Sequence, residues 1–216
     1  MRTSTLRTLP FVLLVVAATA AIGSAAAEEY KGVVIAPESH SDTYKRSDYK
    51  HWSDFDSDRM QTRDEVLEEE SLIAVEVVRK GRRIAVSVGL WADPYTGTVT
   101  TSPRALDVDH MVPLKEAHES GAWAWNAAKR EQYANDMSNP NHLIAVDPRA
   151  NRSKSDNDPA DWMPPNRAYW CQYLASWLEV KRRWQLTMDQ REAEAVERGE
   201  RVCLLYTSRD HLDGRH

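Results

Sequence analysis

Two short segments of this chain carry residue types that could do chemistry together. The first is Leu106-Asp107-Val108-Asp109-His110-Met111-Val112-Pro113-Leu114, where a carboxylate stands beside an imidazole and Pro113 forces a turn soon after. The second begins with Asn141-His142-Leu143-Ile144-Ala145-Val146 and continues at Asn151-Arg152-Ser153-Lys154-Ser155-Asp156, an amide before an apolar run and then an amide with two cations. Brought together, these groups suit hydrolysis of a phosphodiester. A hard divalent cation such as Mg2+ prefers oxygen ligands and keeps several waters. Asp109 offers a carboxylate oxygen and Asn151 an amide oxygen. His110, with an ordinary pKa of about 6.5, can take a proton from water near neutral pH. The metal would stabilise charge on the phosphoryl and leaving oxygens. Arg152 and Lys154, aided by a helix N-terminus, are expected to hold flanking phosphates. Asn141 is expected to brace the loop that carries His110 through its amide, with Asn135 and His142 as alternatives for that role. Asp107 points the same way as Asp109 on a strand and could orient His110 or a metal-bound water. Either segment alone has a plainer reading, as a surface Asp-His pair or a solvated helix cap. Both in this order favour a site.

Positioning these groups requires two strands and a helix. Leu106 to His110 alternates apolar and polar, as a short half-buried strand does, and Leu143 to Val146 reads as a second. A helix is expected to open at Asn151 and run to Trp162, stopped by Pro164-Pro165. Ile84 to Leu90 is a further strand by its β-branched content. Trp91 to Gly97 is a turn, with Pro94 fixing φ and Gly97 free to go left-handed. Helices are expected over Thr62 to Leu72, Lys115 to Trp125, Asn126 to Met137 and Arg167 to Trp184, and a last one opened by Thr187 to Gln190 and ended by Gly199. Trp170, Tyr173, Leu174 and Trp177 share one face of the long helix, which reads as core. Residues 28–58 are polar and irregular. The fold class is α+β, a small ββα motif embedded among several helices.

Composition narrows the class. A chain of 216 residues with 28% charged and 42% hydrophobic residues can bury one core. The formal charge of -5 excludes nucleic-acid binding by bulk positive charge, so phosphate must be held by a local patch or a metal. Lys129, Arg130, Arg149, Arg152, Lys154 and Arg167 are the candidates to line such a groove. Arg2 and Arg7, the apolar run Phe11 to Ile22 and Ala25-Ala26-Ala27 read as an export signal over residues 1–27, cleaved near Ala27. The run is short of the about 20 residues a membrane span needs. The mature chain is then expected outside the cell, with no membrane segment and no evident protein partner. Its two cysteines, Cys171 and Cys203, are expected to form one disulfide in that oxidising compartment.

The mature chain divides on this reading into an N-terminal extension, 28–84, and a chemistry-bearing domain, 85–216. The extension contains Asp54-x-Asp56-x-Asp58 followed by Glu65. The spacing matches a Ca2+ loop, although Arg59 stands where such a loop requires Gly.

Several motifs now agree in order: Gly89 to Gly97, Asp109-His110 with Val112-Pro113-Leu114, Tyr133 to Asp136, Asn151 to Lys154, Asp158 to Pro165, and Cys171 to Trp177. This set resembles the HNH, or ββα-metal, nucleases, and the HNH domain of the CRISPR effector nucleases has a similar pair of segments. It is most similar to secreted HNH endonuclease family proteins whose domain is shared with the C-terminal part of GmrSD-type restriction enzymes. The likeness covers about residues 85 to 205. It implies a phosphodiester hydrolase acting on nucleic acid, DNA or RNA, with low sequence specificity. It implies His110 as general base, Asp109 and Asn151 as metal ligands and Asn141 as the structural asparagine. Where other members carry a His as the third motif residue this chain has Asn151, which favours Mg2+ or Mn2+ over a softer metal. The alternative is a non-catalytic extracellular binding module with a vestigial site.

Overall fold

A computed structural model describes residues 27–213, with side chains as far as Leu204. The export signal lies outside the described residues except for Ala27. In chain order the elements are strands β1 (Glu29–Tyr30) and β2 (Val33–Val34), helix α1 (Thr62–Glu69), strands β3 (Glu76–Lys80), β4 (Arg83–Val88), β5 (Trp91–Ala92), β6 (Val99–Thr100) and β7 (Asp107–His110), and helices α2 (Leu114–Glu119) and α3 (Ala127–Ala134). Strand β8 (Leu143–Val146) and helices α4 (Pro148–Lys154), α5 (Trp170–Trp184) and α6 (Gln190–Asp213) complete the chain. The strands form antiparallel pairs, each of two strands. The class is α+β.

The pair β7–β8 is the centre of the fold. Asp107 lies opposite Val146, Val108 opposite Ala145, Asp109 opposite Ile144 and His110 opposite Leu143. Successive side chains on a strand leave opposite faces, so Ile144 and Val146 enter one apolar cluster, with Tyr133, Tyr173 and Trp177. Leu143 and Ala145 enter another, with Val66, Leu67 and Trp91. Asp109, across from Ile144, therefore emerges on the first face. The ribbon is walled by α1 on its other side, where Glu70 accepts from the Ala145 backbone N–H at 2.7 Å. β4 runs across the boundary expected at residues 84 and 85, and α1 packs on β4, β7 and β8 alike. The N-terminal segment thus shares one core with the site-bearing strands.

Helices α4 and α6 differ from the sequence reading at both ends. The helix after β8 starts at Pro148, because Asp147 caps it by accepting from the N–H groups of Arg149 and Ala150 at 2.8 and 2.9 Å. It ends at Lys154, so Asn151, Arg152 and Lys154 occupy its last turns and no helix N-terminus aids them. The last helix is capped by Asp189, which accepts from Glu192 N–H at 2.7 Å. Thr187 instead donates to the Ser120 carbonyl. Gly199 does not end that helix; it lies inside it, where a Cβ would collide with Leu174 Cδ1. The glycine lets α6 lie close on α5, and Cys171 and Cys203 join the two helices in a disulfide, Cα–Cα 5.6 Å. Tyr173, Leu174 and Trp177 are core, as their spacing implies.

Candidate active site

The site forms where β7, α4 and the β5–β6 turn meet. Asp93 closes that turn by accepting from the N–H groups of Tyr95 (2.9 Å) and Thr96 (3.1 Å), and Gly97 takes a φ of 76°. The Tyr95 ring is driven inward and its hydroxyl donates to Asp109 Oδ2 at 2.7 Å. Lys154, wholly buried, brings Nζ to 2.5 Å from the same oxygen and 2.8 Å from the His110 carbonyl. Burial pushes the Asp109 carboxyl up, with Lys154 and Tyr95 pulling it back. Burial pushes the Lys154 ammonium down, with Asp109 opposing. Both bonds fall on Oδ2, and no donor among the described residues reaches Oδ1.

His110 ends the strand. Its ring lies nearly parallel to Trp52 and Tyr133, with centroids 5.8 and 6.3 Å away. Nε2 is 3.0 Å from the Ala134 carbonyl. A carbonyl can only accept, so Nε2 carries the proton and Nδ1 keeps a lone pair. Nδ1 has no partner among the described residues. It is also absent from the sealed polar atoms that lack one, which are Asn139 Nδ2, His142 Nδ1 and Tyr173 Oη. It therefore reaches solvent. Burial first, then the neighbouring His142, holds the imidazole well below its ordinary value. Its Nδ1 lone pair is claimed by no donor among the described residues.

Asp109, His110, Asn151 and Arg152 line one cavity of about 440 Å³, together with Tyr44 and Arg46 and an ion pair between Lys115 and Asp156. Asn151 Nδ2 donates to Asp107 Oδ2 at 3.2 Å. A carboxylate only accepts, so this contact fixes the amide with its nitrogen toward Asp107 and its oxygen unspent. Asp107 thus orients Asn151 rather than His110. Asp109 and Asn151 line one cavity, and each keeps a hard oxygen, Oδ1, that no donor among the described residues claims. That donor set fits a hard divalent cation.

Residues 61–196 match the family described as GmrSD restriction endonucleases, C-terminal domain. The chain belongs to this family. A relative from Arthroderma benhamiae, named an uncharacterized secreted protein, is 36% identical over 165 residues, covering 76% of this chain and 78% of its own. No solved structure matches.

In this member of the GmrSD C-terminal family, the structure brings Asp109, His110, Asn151 and Arg152 to the same cavity. It does not bring Lys154 there as a phosphate ligand. The ammonium is sealed behind Asp109, where no phosphate can reach it. Asn141 does not brace the His110 loop either. Its side chain meets Glu179 (3.2 Å) and Gln172 (3.3 Å) on α5. The bracing comes from neighbours: the His142 carbonyl accepts from Met111 N–H at 2.8 Å, and its ring Nε2 lies 2.6 Å from the Tyr133 carbonyl. Asn135 ties the segment at Lys50 and Ser53 to α3. Among the expected groove cations, Lys129 stacks on Trp125 and Arg130 pairs with Asp48, away from the cavity. Tyr95 and Arg46 had no assigned role in the sequence. Tyr95 was flagged by its turn, whereas nothing in the irregular segment singled out Arg46.

Asp54, Asp56 and Asp58 do converge, but Glu65 is not among the carboxylates that meet. Burial, then Asp56 and Asp58, pushes Glu65 up to about 7. Exposed carboxylates often converge without an ion, and we assign none here.

Proposed function

We propose that this chain is an exported, metal-dependent nuclease that hydrolyses phosphodiester bonds of nucleic acid at the His110 cavity. One observation carries the reading. His110, whose ring keeps an Nδ1 lone pair, lines the same cavity as Asp109 and Asn151, and no donor among the described residues claims Oδ1 of either. Membership in a restriction-endonuclease domain family supports it. His110 Nδ1 takes a proton from water as the water oxygen bonds to phosphorus, and the bond from phosphorus to the leaving oxygen breaks; that oxygen then takes a proton from solvent. Ala134 holds the ring in the tautomer this requires. Arg152 and Arg46 face the substrate phosphates with guanidinium groups, which suit two-point contacts to anionic oxygens. Mg2+ or Mn2+ held by Asp109 and Asn151 would supply Lewis-acid stabilisation of the developing charge. Tyr95 and Lys154 fix the Asp109 carboxylate so that one oxygen stays free.

Export is supported by the leader-like residues 1–27, the disulfide, and the name of the Arthroderma relative. Among the described residues no helix is long and apolar enough to cross a membrane.

The test is incubation of the oxidised mature protein with plasmid and with RNA in Mg2+, Mn2+, Ca2+ or EDTA. Cleavage with Mg2+ or Mn2+ and none in EDTA is the expected result. Intact substrates under every metal would leave the binding-module reading.

A further inference from the structure

The strands β3 and β4 form a ribbon on which every residue of β3 is exposed. Its tip closes over Gly81 and Arg82, with Gly81 at a φ of 65°. Arg79, Lys80, Arg82 and Arg83 crowd that tip in a chain whose net charge is -5. Four guanidinium groups, of Arg59, Arg79, Arg82 and Arg83, line a cleft of about 410 Å³ beside the ribbon, where Asp54 is the sole acid. Among the described residues Arg79, Lys80 and Arg82 make no ion pair or side-chain hydrogen bond, while Arg83 donates to Gln61. Arg59 holds a φ of 83°, a conformation that favours glycine, and its carbonyl accepts from Ile84 N–H of β4 at 2.9 Å. The backbone tolerates a strained position there and so places another cation in the cleft.

We propose that this ribbon tip and its arginine cleft are a docking site for the phosphate backbone of duplex nucleic acid, separate from the cavity where hydrolysis occurs. The inference rests on the nuclease reading above and names how the substrate is held. Guanidinium groups that outnumber the one carboxylate lining their cleft match phosphate in charge and geometry. A two-stranded ribbon is also of a size that a duplex groove admits. Hydrogen bonds link the ribbon through α1 to the segment that enters β7. Val86 N–H donates to Asp64 of α1 at 3.0 Å, and the neighbouring Arg63 donates to the Pro103 and Leu106 carbonyls at the entry to β7. Substrate gripped at the tip would therefore be presented to His110 at a fixed offset.

The test measures binding of the full mature protein to a labelled duplex in EDTA across a salt series, for wild type and for the triple variant Arg79→Gln, Lys80→Gln, Arg82→Gln. The variant is expected to bind about 10-fold or more weakly at low salt. Its plot of log affinity against log salt should be shallower by roughly 2 to 3. Cleavage at sub-saturating duplex should fall in step with the lost affinity, and unchanged thermal unfolding would show that the fold is intact. Equal affinity and slope for both proteins would overturn the proposal, as would a variant that loses only its binding to phosphatidylglycerol vesicles. If wild type cleaves nothing with any metal, the nuclease reading falls, while the binding series still decides the ribbon.

Discussion

Two lysines, Lys154 and Lys181, are sealed in the interior of this chain, and their ammonium groups sit in opposite electrostatic settings. Lys181 on α5 has four acceptors: Glu116 and Glu192 at 2.7 Å each, the Thr187 carbonyl at 2.8 Å and Ser120 at 3.1 Å. Burial presses its pKa down, but Glu116 and Glu192 outweigh burial and hold it above the ordinary value. Lys154 on α4 has two acceptors, Asp109 and the His110 carbonyl. Burial wins there and its pKa ends low. Three N–H groups on an ammonium can saturate a cage of acceptors. At Lys181 they do so, and the cage ties α2, α5 and α6 together. At Lys154 the cage is incomplete, and the paired carboxylate, on a residue that lines a cavity, keeps one oxygen that no donor among the described residues claims. A buried charge that is fully matched serves the fold. One left partly matched beside a cavity is available for chemistry.

The largest expected effect is on the incompletely matched side. His110→Ala should lower the cleavage rate per folded molecule by about 10²- to 10⁴-fold, the usual worth of a general base, and should also cost stability, because the ring packs on Trp52 and Tyr133 and bonds the Ala134 carbonyl. Steady-state rates on plasmid check this, and an undiminished rate would move the chemistry elsewhere. Next come the lysines themselves. Lys181→Met strands two buried carboxylates and should cost about 3–5 kcal/mol of stability, leaving the rate per folded molecule intact. Lys154→Met strands one carboxylate and should cost about 1–3 kcal/mol. It should also slow cleavage about 10- to 100-fold through the loosened Asp109. Urea unfolding paired with rates separates the two, and identical profiles for both variants would erase the contrast.

A smaller effect is on acid stability. His142 lies fully buried beside the site, its Nδ1 sealed without a partner, and burial lowers its pKa to about 4. The unfolded chain binds this proton near pH 6.5 and the folded chain does not until about 4. Stability contributed by neutral His142 is therefore full above pH 6.5 and is lost as pH falls through that window. His142→Gln should flatten this part of the curve of unfolding free energy against pH. A slope identical to wild type would assign the acid sensitivity to other groups.

The contrast also marks what a sequence can disclose. β7 and β8 were legible because alternation and β-branched runs are local patterns, and Asp109, His110 and Asn151 were legible because their spacing is. The fate of Lys154 was not. Whether a cation ends beside a phosphate or behind a carboxylate depends on packing between elements far apart in the chain, and the sequence Asn-Arg-Ser-Lys looks the same in both cases. Asn141 and His142 are adjacent, and only the register of β8 decides which side chain faces the His110 loop. The start of α4 was signalled by Asp147-Pro148, a cap and a first-turn proline, but the polar run from Asn151 drew the boundary too late. Gly199 has the residue type of a helix stop, yet close contact with Leu174 gives it another purpose. β3 escaped notice because its charged, exposed residues lack an apolar face to set a period.

The nuclease reading stands or falls with Asp109 and Asn151 holding a hard divalent cation beside His110. Crystals soaked in Mn2+ and measured for anomalous scattering show whether they do. A peak is expected between Asp109 Oδ1 and Asn151 Oδ1 in the His110 cavity, lost in Asp109→Ala. A peak confined to Asp54, Asp56 and Asp58, with the His110 cavity empty of scattering, would refute it.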